Sequence, residues 1–417
     1  MLVSHLLNRL IRVGSLTVID ANGNAHLFEG AEEPGSPAVT VRLHHKALHH
    51  RLFTNPPLAL GESYTNGTLT VENADLYDFL DLIGRNMNLS GLSQLNGTTG
   101  WINWLLRRVQ QWNPAGWSYF NAASHYDLSG DLYDLFLDAD KQYSCAYFPI
   151  PGSGLDEAQE AKKRHIAAKL LIEPGQKVLD IGSGWGGMAI YLARMTGADV
   201  TGLTLSAEQL KVSRRRAREA GLSDRVRFHL RDYREQAGVF DRIVSVGMFE
   251  HVGIDHFRTY FSQLRDLLSE DGVALLHTIG RMDGPGATDP WIRKHVFPGG
   301  YIPALSEIMP AIEKTGLLTT DIEILRLHYA ETLRHWRRRF KDNREKAITL
   351  YDERFFRLWE YYLAISEISF RYLASTVFQI QITRSQDAVP LTRDYMTLLE
   401  KSDGKTKPAR AGSSRAA

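Results

Sequence analysis

The chain has 417 residues, enough for about two or three domains with a large core. Its hydrophobic fraction of 43% and charged fraction of 23% are those of a globular protein in water, and a net charge of +1 gives no global pull toward nucleic acid. One cysteine, Cys145, excludes an internal disulfide and suits a reducing cytosol.

In chain order, the first stretch is apolar but interrupted by His5, Asn8, Arg9 and Arg12. With no long apolar run and no small-residue cleavage site it is not expected to be a signal peptide. No segment has the length and purity of a membrane-spanning helix, so any membrane contact is expected to be peripheral. Residues 1–93 mix a short helix with strands at 39–43 and 68–71, turns at Gly61 and Gly67, and a helical pattern over 74–87. They are expected to form a smaller N-terminal α+β domain. Residues 94–115 begin as a linker rich in Gly, Asn, Ser and Thr, then run into a segment carrying Trp101, Trp104, Arg107, Arg108 and Trp112. Residues 116–385 read as one α/β domain. Strands are predicted at 177–181, 199–203, 226–229, 241–246 and 272–278, with helices over 207–220 and 257–268 between them. That alternation implies a parallel sheet with helices on both faces. Thr376-Val-Phe-Gln-Ile-Gln-Ile382 alternates as a late edge strand does. The tail 402–417 is small, basic and polar, and is expected to be disordered.

The most informative stretch is Val178-Leu-Asp-Ile-Gly-Ser-Gly-Trp-Gly-Gly187, an apolar strand that runs into Gly182, Gly184 and Gly186 with helix-like sequence directly after. A strand ending in a glycine loop at a helix start lets a ligand touch bare backbone. The spacing is Gly-x-Gly-x-Gly, with Asp180 before it. A dinucleotide site would show Gly-x-Gly-x-x-Gly and an acidic residue about 20 positions on. The second strand here ends in Gly202-Leu-Thr-Leu-Ser-Ala-Glu-Gln209, with no acid at its tip.

The loop resembles that of class I S-adenosylmethionine (SAM) methyltransferases. Further stretches narrow the resemblance: His125-Tyr-Asp127, Gln142-Tyr-Ser-Cys-Ala-Tyr-Phe148, Phe249-Glu-His-Val-Gly253, Leu276-His-Thr-Ile279 and Phe297-Pro-Gly-Gly-Tyr-Ile-Pro303. Together these look like the cyclopropane fatty acid synthase family over residues 116–383. The N-terminal region also resembles the extra domain of the full-length, phospholipid-acting members.

The resemblance implies a Rossmann-like, doubly wound, mixed seven-stranded sheet. It implies transfer of a methylene from SAM to the cis double bond of unsaturated acyl chains in membrane phospholipids. The alkene attacks a sulfonium methyl, leaving a carbocation, and a proton then departs so that the ring closes. The family's base is taken to be bound bicarbonate, and the matching cage here would be Cys145, Glu250, His277, Ile279 and Tyr329. Cys145 and Ile279 would contribute mainly backbone groups. For SAM, Tyr143 and Ser144 would close over the cofactor. Gly182, Gly184 and Gly186, after Asp180, would carry its methionine end, Thr204 and Gln209 would reach the ribose, and Tyr233 would stand near adenine.

On their own chemistry these residues have plainer readings. A lone cysteine is ordinarily a small buried hydrophobe, and the reaction needs no covalent enzyme intermediate, so Cys145 is read as positional. His277, after Val273-Ala-Leu-Leu-Leu276, is by itself a core histidine. Three departures from the family pattern stand out: Leu-Ser-Gly130 in place of Leu-Gly-Asn, Asp232-Tyr-Arg234 around Tyr233, and Ser366 where some relatives carry a cysteine.

The implied substrate lies in a bilayer, so peripheral contact with the inner face of the cytoplasmic membrane is expected. The Trp101–Trp112 segment and Arg334-His-Trp-Arg-Arg-Arg-Phe-Lys341 are candidates for it. Full-length relatives imply a possible homodimer. Alternatives within the same scaffold are fatty-acyl C-methylation giving a methyl-branched or methylene product, and small-molecule N-methylation. A lipid-binding protein with a relict cofactor fold is the non-enzymatic alternative.

Overall fold

The computed structural model describes residues 4–32, 38–90 and 130–401. Trp101, Trp104, Arg107, Arg108, Trp112, the His125-Tyr-Asp127 stretch and the tail from Ser402 lie outside the described residues. The chain forms two compact units that are not consecutive in sequence. One comprises Met1–Gln110, Gly286–Gly300 and Tyr329–Ser375; the other comprises Gln111–Pro285, Tyr301–His328 and Thr376–Ala417. The span 116–385 therefore contributes to both.

The first unit holds a four-stranded sheet in the order β2–β1–β3–β4: β1 (Ser15–Ile19), β2 (Ala25–Glu29), β3 (Val39–Leu43) and β4 (Leu69–Val71). β1 and β2 form an antiparallel hairpin, and β1 pairs with β3 in parallel. The Asp20 carboxylate closes the hairpin by accepting from the Asn22 and Asn24 amides. The helical pattern over 74–87 is the helix Leu76–Ser90. Its buried Asn86 accepts from Arg12 N and Val13 N and donates to Val13 O and Leu82 O, which meets the full hydrogen-bonding capacity of the amide.

Two expectations are corrected in this unit. Gly61 is no turn but lies within the helix Pro56–Thr65, where a Cβ would come within 2.4 Å of the Trp291 indole. The basic-aromatic cluster Arg334–Lys341 does not present its aromatic rings outward. It belongs to the helix His328–Asp342, with Trp336 and Phe340 fully buried. Its cations are largely engaged as well: Arg337 binds Glu367 and lies 3.8 Å over the Tyr77 ring, Arg334 binds Glu331, and Lys341 binds Asp75. Ring burial outweighs display because a helix this polar is held in place mainly by its apolar stripe.

The second unit is built on a seven-stranded sheet, β10–β11–β9–β8–β5–β6–β7. Its strands are β5 (Lys177–Ile181), β6 (Asp199–Thr204), β7 (Val226–Leu230), β8 (Phe240–Val246), β9 (Leu268–Arg281), β10 (Leu318–Ile324) and β11 (Ser375–Thr383). β5 pairs in parallel with both β6 and β8, whereas β10 and β11 are antiparallel. Apolar residues of the inner strands feed two layers, one on each face of the sheet. Leu179, Ile181, Leu276, Phe378 and Ile380 join Phe249, Phe257 and Phe261 on one face. Val178, Val200, Val244 and Leu275 pack with Ile166, Leu170 and Met188 on the other. The strand–helix alternation predicted the parallel core with helices on both faces, and the doubly wound, mixed seven-stranded form is the one the family resemblance implied.

One strand assignment changes. β11 is not an edge strand: it lies between β9 and β10, and β10 was not anticipated. The order reverses at β5, whose neighbours β6 and β8 lead away on opposite sides. In open α/β sheets such a switch point opens a crevice beyond the carboxyl ends of the strands. The glycine loop follows β5 and the Glu250 turn follows β8, so both sit at that end.

Candidate active site

The glycine loop is shaped by backbone that only glycine adopts easily. Gly182, Gly184 and Gly186 have φ of 84°, 51° and 84°. The Gly182 and Ser183 amides donate to Leu203 O at 3.0 and 2.7 Å, which pins the loop to the end of β6. A Cβ on Gly182 would lie 2.9 Å from Met248 Cβ, and one on Gly186 would lie 2.8 Å from Phe228 and Ser213. At Gly184 nothing lies within 4 Å, so this glycine faces open space. The helix Gly187–Thr196 starts directly behind, directing its first amides and positive dipole end toward the loop. An anionic group approaching bare backbone fits this cradle.

Asp180, at the end of β5, is 1% exposed, and its Oδ2 has no hydrogen-bond partner among the described residues. Burial pushes its carboxyl up to about 7, with Lys162 pulling the other way. Thr204 Oγ1 donates to Gln209 Oε1 at 2.8 Å, so these two expected ribose contacts are bound to each other. That bond leaves the Gln209 amide NH₂ as the group not spent on Thr204. Ser206 caps the following helix by accepting from Gln209 N. Tyr233 is buried edge-on against Tyr260 at 5.3 Å, within the apolar layer that contains Phe249.

The segment 138–147 lies over the helix start. The Asp140 carboxylate binds Lys163 and Arg216, and Arg216 also reaches Trp185 O in the glycine loop at 2.8 Å. A Cβ on Gly187 would lie 2.3 Å from Gln142 Nε2, so this approach requires a bare backbone there. Tyr143 packs edge-on against Tyr133, which in turn packs on Trp185. Ser144 is buried, and its Oγ accepts from Lys162 Nζ at 2.9 Å. Cys145 is buried too, its thiol donating to Ala146 O at 3.2 Å. That suits a small positional residue better than an exposed nucleophile.

The Glu250 and His277 stretches meet at the ends of β8 and β9. Glu250 lies in the short turn Phe249–His251, and its Oε1 accepts from the Ile279 amide at 2.6 Å. The Ile279 N–H is therefore spent on Glu250, and its carbonyl accepts from Thr278 Oγ1 at 3.1 Å. Glu250 Oε2 is buried and has no partner among the described residues. Burial pushes the Glu250 carboxyl up to about 7, against the pull of the Ile279 amide. His277 is 2% exposed, its Nδ1 lies 3.1 Å from Gln379 Nε2, and its carbonyl accepts from Gly247 N. Burial pushes its imidazole well below the usual range, assisted by Lys162 and Lys169. Tyr329 belongs to the first unit, with its ring against Phe370 and Trp336.

Lys162 escaped the sequence reading. It is fully buried on the helix Leu155–Leu170, with Nζ on Gln142 Oε1 (2.6 Å) and Ser144 Oγ, and burial pushes it down to about 8. Lys162, His165 and Lys169 recur at spacings of three and four. On sequence alone that is a solvated helix face; here all three are buried.

The seven-stranded order, with β11 antiparallel to β10 and inserted between it and β9, and the glycine cradle after β5 match the class I SAM-dependent methyltransferase architecture of the solved structures below. Residues 117–380 match the family model described as mycolic acid cyclopropane synthetase. The cyclopropane-fatty-acyl-phospholipid synthase of Escherichia coli K12 is 35% identical over 350 residues, which cover 84% of this chain and 89% of that one. A probable fatty acid methyltransferase of Pseudomonas putida is 45% identical over 248 residues, 58% of this chain; the match spans 63% of that relative's length. Among solved structures, the mycolic acid cyclopropane synthase CmaA1 complexed with SAH and CTAB superimposes with a TM-score of 0.61 at 32% identity, covering 65% of this chain and 98% of that one. The chain belongs to the cyclopropane synthase family of SAM-dependent methyltransferases. No helix among the described residues is long and apolar enough to cross a membrane.

Proposed function

We propose that this protein transfers a methylene group from SAM to the cis double bond of unsaturated acyl chains in membrane phospholipids, forming a cyclopropane ring, while in peripheral contact with the bilayer. The observation that carries the reading is the pairing of the two halves of the site at one end of one sheet. A cradle for an anionic cofactor end follows β5. A buried carboxyl with one oxygen unspent, Glu250, follows β8.

When bound, SAM would supply an electrophilic methyl group and bicarbonate would supply a base. The remaining demands fall on the chain. Glu250 suits an anionic neighbour because its carboxyl, raised to about 7, is protonated in part of the population near neutral pH. In that form Oε2 donates to an anion, and in the ionised form it accepts from a hydroxyl. Tethering Oε1 to Ile279 N fixes the direction in which Oε2 points. His277 provides a second polar group in a buried strand. Segment 138–147 packs against the start of the cradle, with Gln142 and Asp140 close to Gly187.

The name of the Pseudomonas relative motivates a second reading, fatty-acyl methylation without ring closure. The test is to incubate the pure protein and SAM with vesicles of cis-monounsaturated phospholipid and, separately, with a panel of amines. Acyl chains that gain one CH₂ and show cyclopropane resonances support the proposal, whereas an exocyclic methylene of the same mass or a methyl branch supports the second reading. Inert lipid with methylated amines overturns it in favour of a small-molecule methyltransferase. Calorimetry that detects no SAM binding would point instead to a relict fold.

A further inference from the structure

β11 carries Gln379 and Gln381 on a strand covered on both sides in the sheet, and both side chains are fully buried. Burying two primary amides is costly unless each finds partners. Gln381 donates to Lys169 O and to Tyr395 Oη. Gln379 bridges two side chains: its Oε1 accepts from Lys169 Nζ at 2.7 Å, and its Nε2 lies 3.1 Å from His277 Nδ1 on the adjacent strand β9.

The chemistry of the three groups permits one assignment. An ammonium has donors and no acceptor, so the group facing Lys169 must be the amide oxygen. The amide NH₂ then faces His277, and it too only donates. His277 Nδ1 must therefore be the ring nitrogen with the free lone pair. A neutral imidazole carries one N–H, which is then on Nε2. Turning the amide over would set NH₂ against the ammonium. Burial lowers the pKa of Lys169 from its ordinary value, and the Glu323 carboxylate opposes this by favouring the ammonium. Glu323 binds both Lys169 and His165 Nε2, the latter at 2.6 Å, while His165 Nδ1 is bound by Glu400. Against the upward pull of burial, His165 and Lys169 hold the Glu323 carboxyl down to about 2.

We propose that Lys169 and Gln379 are positioning residues that lock His277 into its Nε2–H tautomer, making it a hydrogen-bond donor rather than a base toward the reacting groups. The catalytic half of this inference rests on the proposed function; the tautomer itself does not. The consequence is specific. With Nδ1 occupied by Gln379, Nε2 is the ring nitrogen left to serve the site, and a protonated Nε2 cannot take up the proton released on ring closure. Removal of that proton falls to another group, and His277 contributes by holding and orienting an acceptor, in the way that a second residue behind a catalytic histidine selects its tautomer elsewhere.

The test is a long-range ¹H–¹⁵N correlation spectrum of the full-length protein labelled at its 15 histidines, with His277 identified by its loss in His277→Gln. The expected pattern at neutral pH is an unprotonated Nδ1 and a protonated Nε2. A protonated Nδ1 in the wild-type protein overturns the proposal without recourse to any further variant. Gln379→Glu keeps an acceptor for Lys169 but replaces the amide donor by a second acceptor. It should switch His277 to Nδ1–H or to the imidazolium and lower kcat by about tenfold or more, with the KM for SAM little changed. An unchanged tautomer in a folded Gln379→Glu variant also overturns it. Inert lipid together with the Nε2–H pattern removes the proposed function and leaves the tautomer assignment supported. Active lipid turnover with Nδ1–H removes this inference alone.

Discussion

Glu250 combines a tethered oxygen, an unspent oxygen and a carboxyl raised to about 7, and each property predicts something measurable. Its folded-state value lies above the ordinary 4.5, so the folded protein holds this proton more tightly than the unfolded chain. The resulting stabilisation is complete below pH 4.5 and is lost as pH rises to about 7. Glu250→Gln keeps an acceptor for Ile279 N and mimics the protonated form. The variant should match the wild type in stability near pH 4.5 and exceed it by about 3 kcal/mol above pH 7, while losing most turnover. Denaturant unfolding at a series of pH values checks this; a pH-independent difference contradicts it. Cys145→Ser should lower turnover by less than about tenfold, because a buried thiol bonded to Ala146 O is asked for no thiolate chemistry. Loss of all activity with SAM binding intact would count against the positional role. At this scale the sequence led to candidate residues where a motif surrounded them. Glu250, His277 and Cys145 were reached through the motifs around them. Lys162 was not, because nothing in a charged residue's own position distinguishes a buried partner of Ser144 from a solvated side chain.

The elements were read well wherever one period dominated. β5, β6, β8 and the helices after them follow from apolar runs and glycine punctuation, and their ends match the expected ones to within about two residues. β11 was misplaced for an instructive reason. Its alternation is real, but its polar face meets Lys169, His277 and Tyr395 rather than water, and a one-dimensional pattern looks the same in either case. β10 has only intermediate to exposed residues and no apolar run that would announce it. The glycine loop allows a finer test. Gly182→Ala meets both a left-handed φ and Met248 Cβ, so it should lower Tm and weaken SAM binding by about tenfold or more. Gly184→Ala faces open space, so it should lower Tm less and still weaken SAM binding, because its methyl group intrudes where the ligand approaches. Calorimetric SAM titrations alongside thermal melts separate the two. Equal Tm losses, or unchanged affinity in both, would contradict this account of the loop.

At the scale of the whole molecule, sequence order and spatial grouping diverge. Residues 286–300 and 329–375 follow strands β5 to β9 in the chain yet group with the N-terminal residues, and their helices bury Trp291, Trp336 and Trp359. A linear reading cannot see such long-range exchange, and it placed Tyr329 in the same domain as Glu250. The central claim is that the methyl group delivered at the glycine loop ends as a ring methylene on a lipid alkene. SAM bearing a CD₃ methyl group, incubated with the protein and cis-monounsaturated phospholipid vesicles, tests it most directly through mass and NMR analysis of the acyl chains. The account predicts a product with cyclopropane resonances that retains two of the three deuterons, the third having been lost on ring closure. An unchanged acyl chain, or a methyl branch that retains all three deuterons, would contradict it.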